Sequence, residues 1–212
     1  MTGDTMGQCL QCIFDLNQDV KREYKKNDII FLEGDEVNKV YRIKSGIVKL
    51  EKIYENGEAK IIDLVTTDDY LALLTVLKDI EEYPVSAVCL TDVVLSPIDR
   101  FDAEDAYQDN LHFKEQCLQC AAHRIGIFQD HTFLSSNTEI EDRVIHTLTH
   151  LSKKFGKRSR EIIEVTLPIS KTELANMIGL RRETLSRKLS KMVENGVLSI
   201  EKNKYTIHRH RR

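Results

Sequence analysis

The segment that decides the fold is Ser170-Lys-Thr-Glu-Leu-Ala-Asn-Met-Ile-Gly-Leu-Arg-Arg-Glu-Thr-Leu-Ser-Arg-Lys-Leu189. Ser170 is a favourable N-cap, and Glu173 three residues later completes a capping box, so we expect a helix to start here. Gly179 provides a tight turn into a second helix. Apolar residues recur at helical spacing on one side of both helices, which predicts a helix-turn-helix with a shared core. These residues are Leu174, Ala175, Ile178, Leu180, Leu185 and Leu189.

The polar side of the second predicted helix suits the major groove of DNA. Arginine can donate two hydrogen bonds to O6 and N7 of guanine, glutamate can accept one from the cytosine amino group, and serine can bond to a base or a phosphate. The following sequence predicts two short strands at residues 197–200 and 205–207, which together would form a wing. A charged surface helix followed by a hairpin is the alternative interpretation. The candidate DNA contacts are Ser170, Thr172, Arg181, Arg182, Glu183, Thr184, Ser186, Arg187 and Lys188.

The charge of the chain is divided between its two ends. Residues 170–212 contain 11 Lys and Arg against 4 Asp and Glu, a formal net charge of +7, whereas residues 1–169 carry −10. A basic end on an acidic body is typical of nucleic-acid-binding proteins, although a basic tail can also be merely solvated. No apolar run approaches a membrane span and the N-terminus lacks a signal-peptide pattern, so we expect a cytoplasmic protein without a membrane partner.

The first hundred residues predict β-structure with turns at Gly34 and Gly46 and a short helix near residues 70–77. Asn56-Gly57 lies between two predicted strands, and this dipeptide favours a type I′ hairpin turn. An antiparallel barrel or sandwich of about 100 residues follows from this pattern. The predicted strands cover residues 28–32, 39–44, 47–54, 59–65, 85–90 and 92–98.

After Phe101 the pattern changes to helix, with apolar residues seven positions apart. Two and a half such heptads fit either a dimer helix or a single amphipathic helix that packs on its own domain. A further helix over residues 139–155 is expected to be capped by Asn137 or Thr138 and ended by Gly156. The candidate dimer-interface residues are Leu111, Leu118, Ala121, Ile125 and Phe128.

Residues 170–189 resemble the helix-turn-helix of the CRP/FNR family of bacterial transcription regulators. Upstream, Phe31-Leu-Glu-Gly-Asp35 and Val40-Tyr-Arg-Ile-Lys-Ser-Gly-Ile-Val-Lys49 are similar to the β-roll signature of that family. The resemblance implies an α+β fold with an N-terminal antiparallel β-roll (a cupin-like jelly roll) over residues 1–108. A dimerisation helix over residues 109–136 and a C-terminal winged helix-turn-helix over residues 137–212 complete it.

The same resemblance implies a DNA-binding homodimer rather than an enzyme. Its partner would be double-stranded DNA with two-fold symmetry, and RNA polymerase if the protein is an activator. Glu183, Ser186 and Arg187 match the Glu-x-x-Ser-Arg motif of FNR-like members, the branch that this chain resembles more closely. Arg182 resembles the CRP-like branch, in which arginine precedes that glutamate. The combination implies half-sites with a TGA-type core.

Four of the five cysteines form two identical motifs, Gln8-Cys-Leu-Gln-Cys12 and Gln116-Cys-Leu-Gln-Cys120. Two such pairs provide four thiolates, enough for an iron-sulfur cluster, with 4Fe-4S the leading choice, or for tetrahedral zinc. A reversible disulfide and inert thiols are the alternatives. We expect the second pair on one side of the long helix, beside the apolar seam, and Cys89 buried in a strand. The candidate metal or redox residues are Cys9, Cys12, Cys117 and Cys120.

FNR-like relatives sense oxygen through a four-cysteine cluster, so the resemblance implies an oxygen, redox or metal signal. The sequence departs from the family pattern, because its N-terminal group has two cysteines rather than three and the β-roll position falls near Ser96. A different possibility is a regulator that binds a small organic effector in the β-roll, with structural cysteines.

Other ligands and activities find less support in the sequence. In the nucleotide-binding branch of the family a Gly-Glu pair and an Arg-Ser/Thr pair hold the ligand. The corresponding stretches here are Asp68-Asp-Tyr-Leu71 and Tyr83-Pro-Val-Ser86, which offer no cation for a phosphate and argue against cyclic nucleotide binding. Histidines 112, 123 and 131 fit a solvated helical face better than a metal site. No catalytic constellation is recognisable, and we expect no enzyme activity.

Overall fold

The computed structural model describes residues 20–54, 59–77, 80–137 and 139–208. Residue contacts divide the chain into two compact units. The first contains residues up to 58 together with 62–127, and the second contains 59–61 together with the residues from 128 onwards.

Eight short strands form two antiparallel four-stranded sheets, which belong to the first unit except for residues 59–61. The sheet orders are β1-β8-β3-β6 and β2-β7-β4-β5. Alternate side chains from both sheets, among them Phe31, Val48, Leu50 and Leu95, form one buried core, as expected for a β-roll. A 3₁₀ helix, Leu73–Leu77, follows β6. The strands are β1 Arg22–Tyr24, β2 Ile29–Phe31, β3 Lys39–Ser45, β4 Ile47–Ile53, β5 Ala59–Thr66, β6 Tyr70–Leu71, β7 Ser86–Cys89 and β8 Val93–Asp99.

Gly46 makes the connection between β3 and β4 possible. Its φ is +98°, a value that residues with a side chain rarely adopt. A Cβ at this position would also collide with the backbone carbonyl of Asp92. The glycine expected at a turn is therefore required both by the backbone angle and by the close approach of the neighbouring strand.

The helices and the remaining strands complete the expected α+β architecture. In the second unit, α3 and α5 pack on a sheet of order β11-β12-β10-β9, and α4 packs on these two helices. The second core includes Val144, Leu148, Ile163 and Leu185. The helices are α1 Arg100–Asp109, α2 Leu111–Asn137, α3 Ile140–Phe155, α4 Lys171–Ile178 and α5 Arg182–Glu194; the strands are β9 Gly156–Arg158, β10 Ile162–Thr166, β11 Leu198–Glu201 and β12 Lys204–His208.

Local details differ from the sequence predictions. The prediction that Asn137 or Thr138 caps α3 is wrong, because Asn137 is still in α2 and the N-cap is Glu139, whose side chain makes no capping hydrogen bond. Thr138 and the predicted Asn56-Gly57 turn lie outside the described residues. None of the helices in the described ranges is both long and apolar enough to cross a membrane.

Candidate nucleic-acid interface

The turn between α4 and α5 is held by local hydrogen bonds. Ser170 Oγ accepts from the Glu173 amide at 3.2 Å, and the Glu173 carboxylate accepts from the Ser170 amide at 2.9 Å. This is the predicted capping box. At the other end of α4, Gly179 adopts φ +76° and donates to the Asn176 carbonyl at 3.0 Å. The left-handed glycine ends α4 and sends the chain into α5.

One side of α5 is buried and the other faces solvent. Leu185, Leu189 and Met192 pack in the core of the second unit. Opposite them, most of the predicted DNA contacts of α5 are exposed, and Ser170 and Thr172 are exposed at the start of α4. Thr184 and Lys188 are half-buried. The exposed face of α5, called the reading face below, consists of Arg181, Arg182, Glu183, Ser186 and Arg187.

Lys188 differs from the other predicted DNA contacts. Its ammonium lies 3.0 Å from the carboxylate of Glu141 in α3, and both side chains are partly buried. Two residues further along α3, Arg143 donates to the backbone carbonyl of Ile178 at the end of α4. Neither Glu141 nor Arg143 is among the site residues predicted from the sequence. No local signal connects them to residues about 35 and 47 positions away.

A four-stranded sheet forms the wing. Tyr205 and Ile207 of β12 are buried, and β12 pairs with both β10 and β11. At the hairpin tip Lys202 is exposed with φ +55°. Lys204 lies 2.6 Å from Glu164, and this hydrogen bond raises the pKa of Lys204 above its usual value. The predicted wing is therefore present beside the two helices.

The long helix α2 has an apolar face that is exposed among the described residues of the single chain. Leu118 and Ile125 are 58% and 57% exposed, whereas Phe113 on the neighbouring face is 1% exposed. Ala121 is half-buried. Exposed apolar residues that repeat every seven positions are typical of a helix with a helical partner. We call this face the α2 stripe; its members are Leu111, Leu118, Ala121, Ile125 and Phe128.

Both halves of the chain match known protein families. A family model described as "Cyclic nucleotide-binding domain" matches residues 21–110, and one described as "Crp-like helix-turn-helix domain" matches residues 142–212. The transcriptional activator protein anr of Pseudomonas aeruginosa is 30% identical over 182 residues, which cover 85% of this chain and 73% of that protein. The chain belongs to the CRP/FNR family of transcription regulators.

Further similarities agree with this membership. The transcriptional activator protein FnrA of Stutzerimonas stutzeri is 29% identical over 85% of this chain and 73% of that protein. The structure of FixK2 from Bradyrhizobium japonicum has the same fold, with a TM-score of 0.76 and 21% identity over 91% of this chain and 93% of that one. CRP/FNR regulators with a helix-turn-helix bind DNA and act as dimers; they are not enzymes.

In this CRP/FNR regulator the second cysteine pair lies on the inner side of α2. Cys117 is fully buried in a cluster with Ile98, Ala103 and Phe113, and half-buried Cys120 packs against the same cluster. Cys117 faces the core on the side of α2 that Phe113 also occupies, which is the face next to the α2 stripe. Burial raises the pKa of the Cys117 thiol to about 12. Cys9 and Cys12 lie outside the described residues.

Cys89 is buried in a strand, as predicted. Its side chain lies in the core between the sheets, and burial raises the pKa of its thiol to about 11. Within the described ranges, no three side chains of His, Cys, Asp or Glu are grouped as metal ligands would be. Of the four proposed thiolates, these ranges contain Cys117 and Cys120.

The two stretches that replace the nucleotide-binding pairs of the family are engaged internally. Asp68 forms an ion pair with Arg42 at 2.8 Å. The Tyr83 ring stacks on Phe31 with centroids 3.9 Å apart, and its hydroxyl donates to the Lys39 carbonyl at 2.9 Å. The Ser86 hydroxyl is buried and accepts from the Glu33 amide. Tyr83 and Ser86 thus contribute to the folded core.

A nearby cavity of about 530 Å³ has a strongly acidic lining. It includes Glu36, Glu81, Glu82 and Glu104, and the only cation among its described lining residues, Arg100, is paired with Glu104. Carboxylates at these positions would repel an anionic ligand.

Proposed function

We propose that this protein binds a two-fold symmetric DNA operator as a homodimer, with α5 of each protomer in the major groove of one half-site. The observation that carries the proposal is the reading face, which exposes arginine, glutamate and serine on a helix whose opposite side is fixed in a core. Glu183, Ser186 and Arg187 match the Glu-x-x-Ser-Arg motif and support a TGA-type core. Arg182, which resembles the arginine of the CRP-like branch, supports an additional contact to DNA.

Dimerisation is assigned to the α2 stripe. The exposed leucine and isoleucine are seven residues apart, so they would form one seam with the same residues of a second copy. The proposed division of labour is a sensor domain at residues 1–108, a dimerisation helix at 109–136 and a DNA-binding domain at 137–212. A cytoplasmic location and contact with RNA polymerase at activated promoters belong to the same proposal.

The proposed signal is oxygen, redox state or a metal, received through Cys9, Cys12, Cys117 and Cys120. Cys117 and Cys120 are one turn apart on one side of α2, the helix that also carries the stripe. Thiolates are the donors that iron-sulfur clusters and zinc prefer, so this pair fits half of a four-thiolate site. A bound 4Fe-4S cluster would supply one-electron redox chemistry. Zinc and a metal-free reversible disulfide are the alternatives.

Two measurements test the two parts of the proposal. Fluorescence anisotropy should give much tighter binding to a duplex with two inverted TGA-type half-sites than to a duplex with both half-sites scrambled; equal affinities would contradict sequence reading. For the signal, anaerobically purified protein should show a visible absorption band that bleaches in air. A colourless protein would remove the cluster, and metal analysis with thiol counting would then separate zinc from a disulfide.

A matched variant separates the cysteine proposal from an organic effector in the β-roll. Serine at all four paired cysteines should abolish the response of operator binding to air, while Cys89→Ser should leave it intact. If the four-serine variant retains full control of operator binding, the signal enters through a small molecule instead.

A further inference from the structure

The first turn of α3 contacts both helices of the helix-turn-helix. Arg143 donates from Nη2 to the carbonyl of Ile178, the last residue of α4. Glu141, two residues earlier, forms the 3.0 Å ion pair with Lys188 in the middle of α5. Side chains two positions apart on a helix point to different sides, so each contact holds a different helix.

The Arg143 contact falls on the turn itself. The last carbonyls of a helix have no partners within that helix. The Leu180 amide donates a hydrogen bond to the Ala175 carbonyl at 2.8 Å, and the Arg143 guanidinium donates one to the Ile178 carbonyl. The guanidinium lies so close that a Cβ on Gly179 would be 3.2 Å from Nη2. A cation is also favoured at the negative end of the α4 dipole. Arg143 therefore fixes the point at which α4 gives way to α5.

These contacts lie next to a helix junction. α2 ends at Asn137 and α3 begins at Ile140, so Glu141 and Arg143 are within one turn of the end of the proposed dimer helix. A change in the direction of α3 at this junction would move the partners of both side chains with it.

We propose that Arg143 and Glu141 are positioning residues that set the orientation of α5 relative to α4 and thereby the base preference of the reading face. This inference rests on the proposed DNA-binding function. Both side chains are engaged within their own domain, so their removal should disturb the fit of α5 to base edges more than the general attraction of the domain to phosphates.

The test uses the full-length dimer and two DNA probes of equal length. One is a duplex enriched by the wild-type protein from a randomised library, and the other has random sequence. A hydrogen bond to a charged group stabilises the arrangement that it holds by a free energy equivalent to about 10- to 100-fold in an equilibrium constant, which sets the upper limit of the effect on specific binding. Arg143→Met should therefore weaken binding to the enriched duplex by up to about this factor, and in any case by more than about 10-fold, and binding to the random duplex by less than about 3-fold. Arg143→Lys should recover part of the preference, and Arg160→Met, at an exposed arginine of the same unit, should change neither value.

Each other outcome has a distinct meaning. Equal losses on both probes with a lower melting temperature would make Arg143 merely structural and overturn the inference, as would an unchanged preference. If Arg143→Met does not fold, Glu141→Gln carries the same test, because it removes only the charge that holds Lys188. Failure of the wild-type protein to enrich any sequence would contradict the proposed function itself.

Discussion

Replacement of Leu118 by glutamate tests whether the α2 stripe holds two protomers together. Leu118 is 58% exposed in the single chain, and complete burial of a leucine stabilises by about 1.5–3 kcal/mol. Burial of the exposed part therefore contributes about 1–2 kcal/mol per protomer, or about 2–3.5 kcal/mol for the symmetric pair. At 1.4 kcal/mol per factor of ten, Leu118→Glu should raise the dimer dissociation constant by about 20- to 300-fold, and charge repulsion across the seam should add to this.

Sedimentation velocity over a concentration series gives this constant directly. The control is Gln119→Glu, which adds the same charge at the next, exposed position outside the stripe. We expect the control to dimerise like the wild type. A Leu118→Glu protein with an unchanged dissociation constant, or a control that is equally impaired, would refute the assignment of the interface to this face.

Three further predictions concern other parts of the molecule. Arg187→Ala should cost about 1–3 kcal/mol of operator binding and relax the preference at one base position, as measured by selection from random DNA. Gly46→Ala should lower the free energy of unfolding by more than about 1 kcal/mol, because it adds a collision with Asp92 to the strain of a positive φ. Gly34→Ala is the control, because a Cβ there meets open space and should add only the strain of the positive φ. Urea titration of both variants gives the two free energies. In the metal-free, reduced protein, Cys117 should not react with a thiol reagent at pH 8, because burial raises the pKa of the free thiol from 9.0 to about 12. The stability linked to that shift should be present below pH 9.0 and decline as the pH rises towards about 12, a loss that Cys117→Ala should reduce in urea titrations.

Local sequence signals predicted local structure well. The Ser170–Glu173 capping box and the Gly179 turn depend on residues three to nine positions apart, and the structure contains both. The strands on either side of Gly46 likewise agree with the prediction within one or two residues. In these cases the side chain and the backbone that it stabilises belong to the same short segment.

Features that depend on distant contacts could not be predicted in the same way. Lys188 has the positive charge expected of a DNA contact, but its ammonium forms an ion pair with Glu141, which belongs to a different helix. Cys117 lies on a helix with two adjacent apolar faces, and heptad spacing alone does not tell which face packs in the core of the first unit. The cap of α3 was misplaced because Asn137 has a good capping side chain and yet α2 continues through it, so that the N-cap is Glu139.

Selection of DNA from a randomised library by the wild-type dimer tests the central claim most directly. The account predicts enrichment of two-fold symmetric sequences, each half containing a TGA-type core, with the half-site centres about one helical turn apart. Enrichment of an asymmetric site, or of no sequence at all, would contradict the claim that two copies of the α5 reading face recognise DNA together.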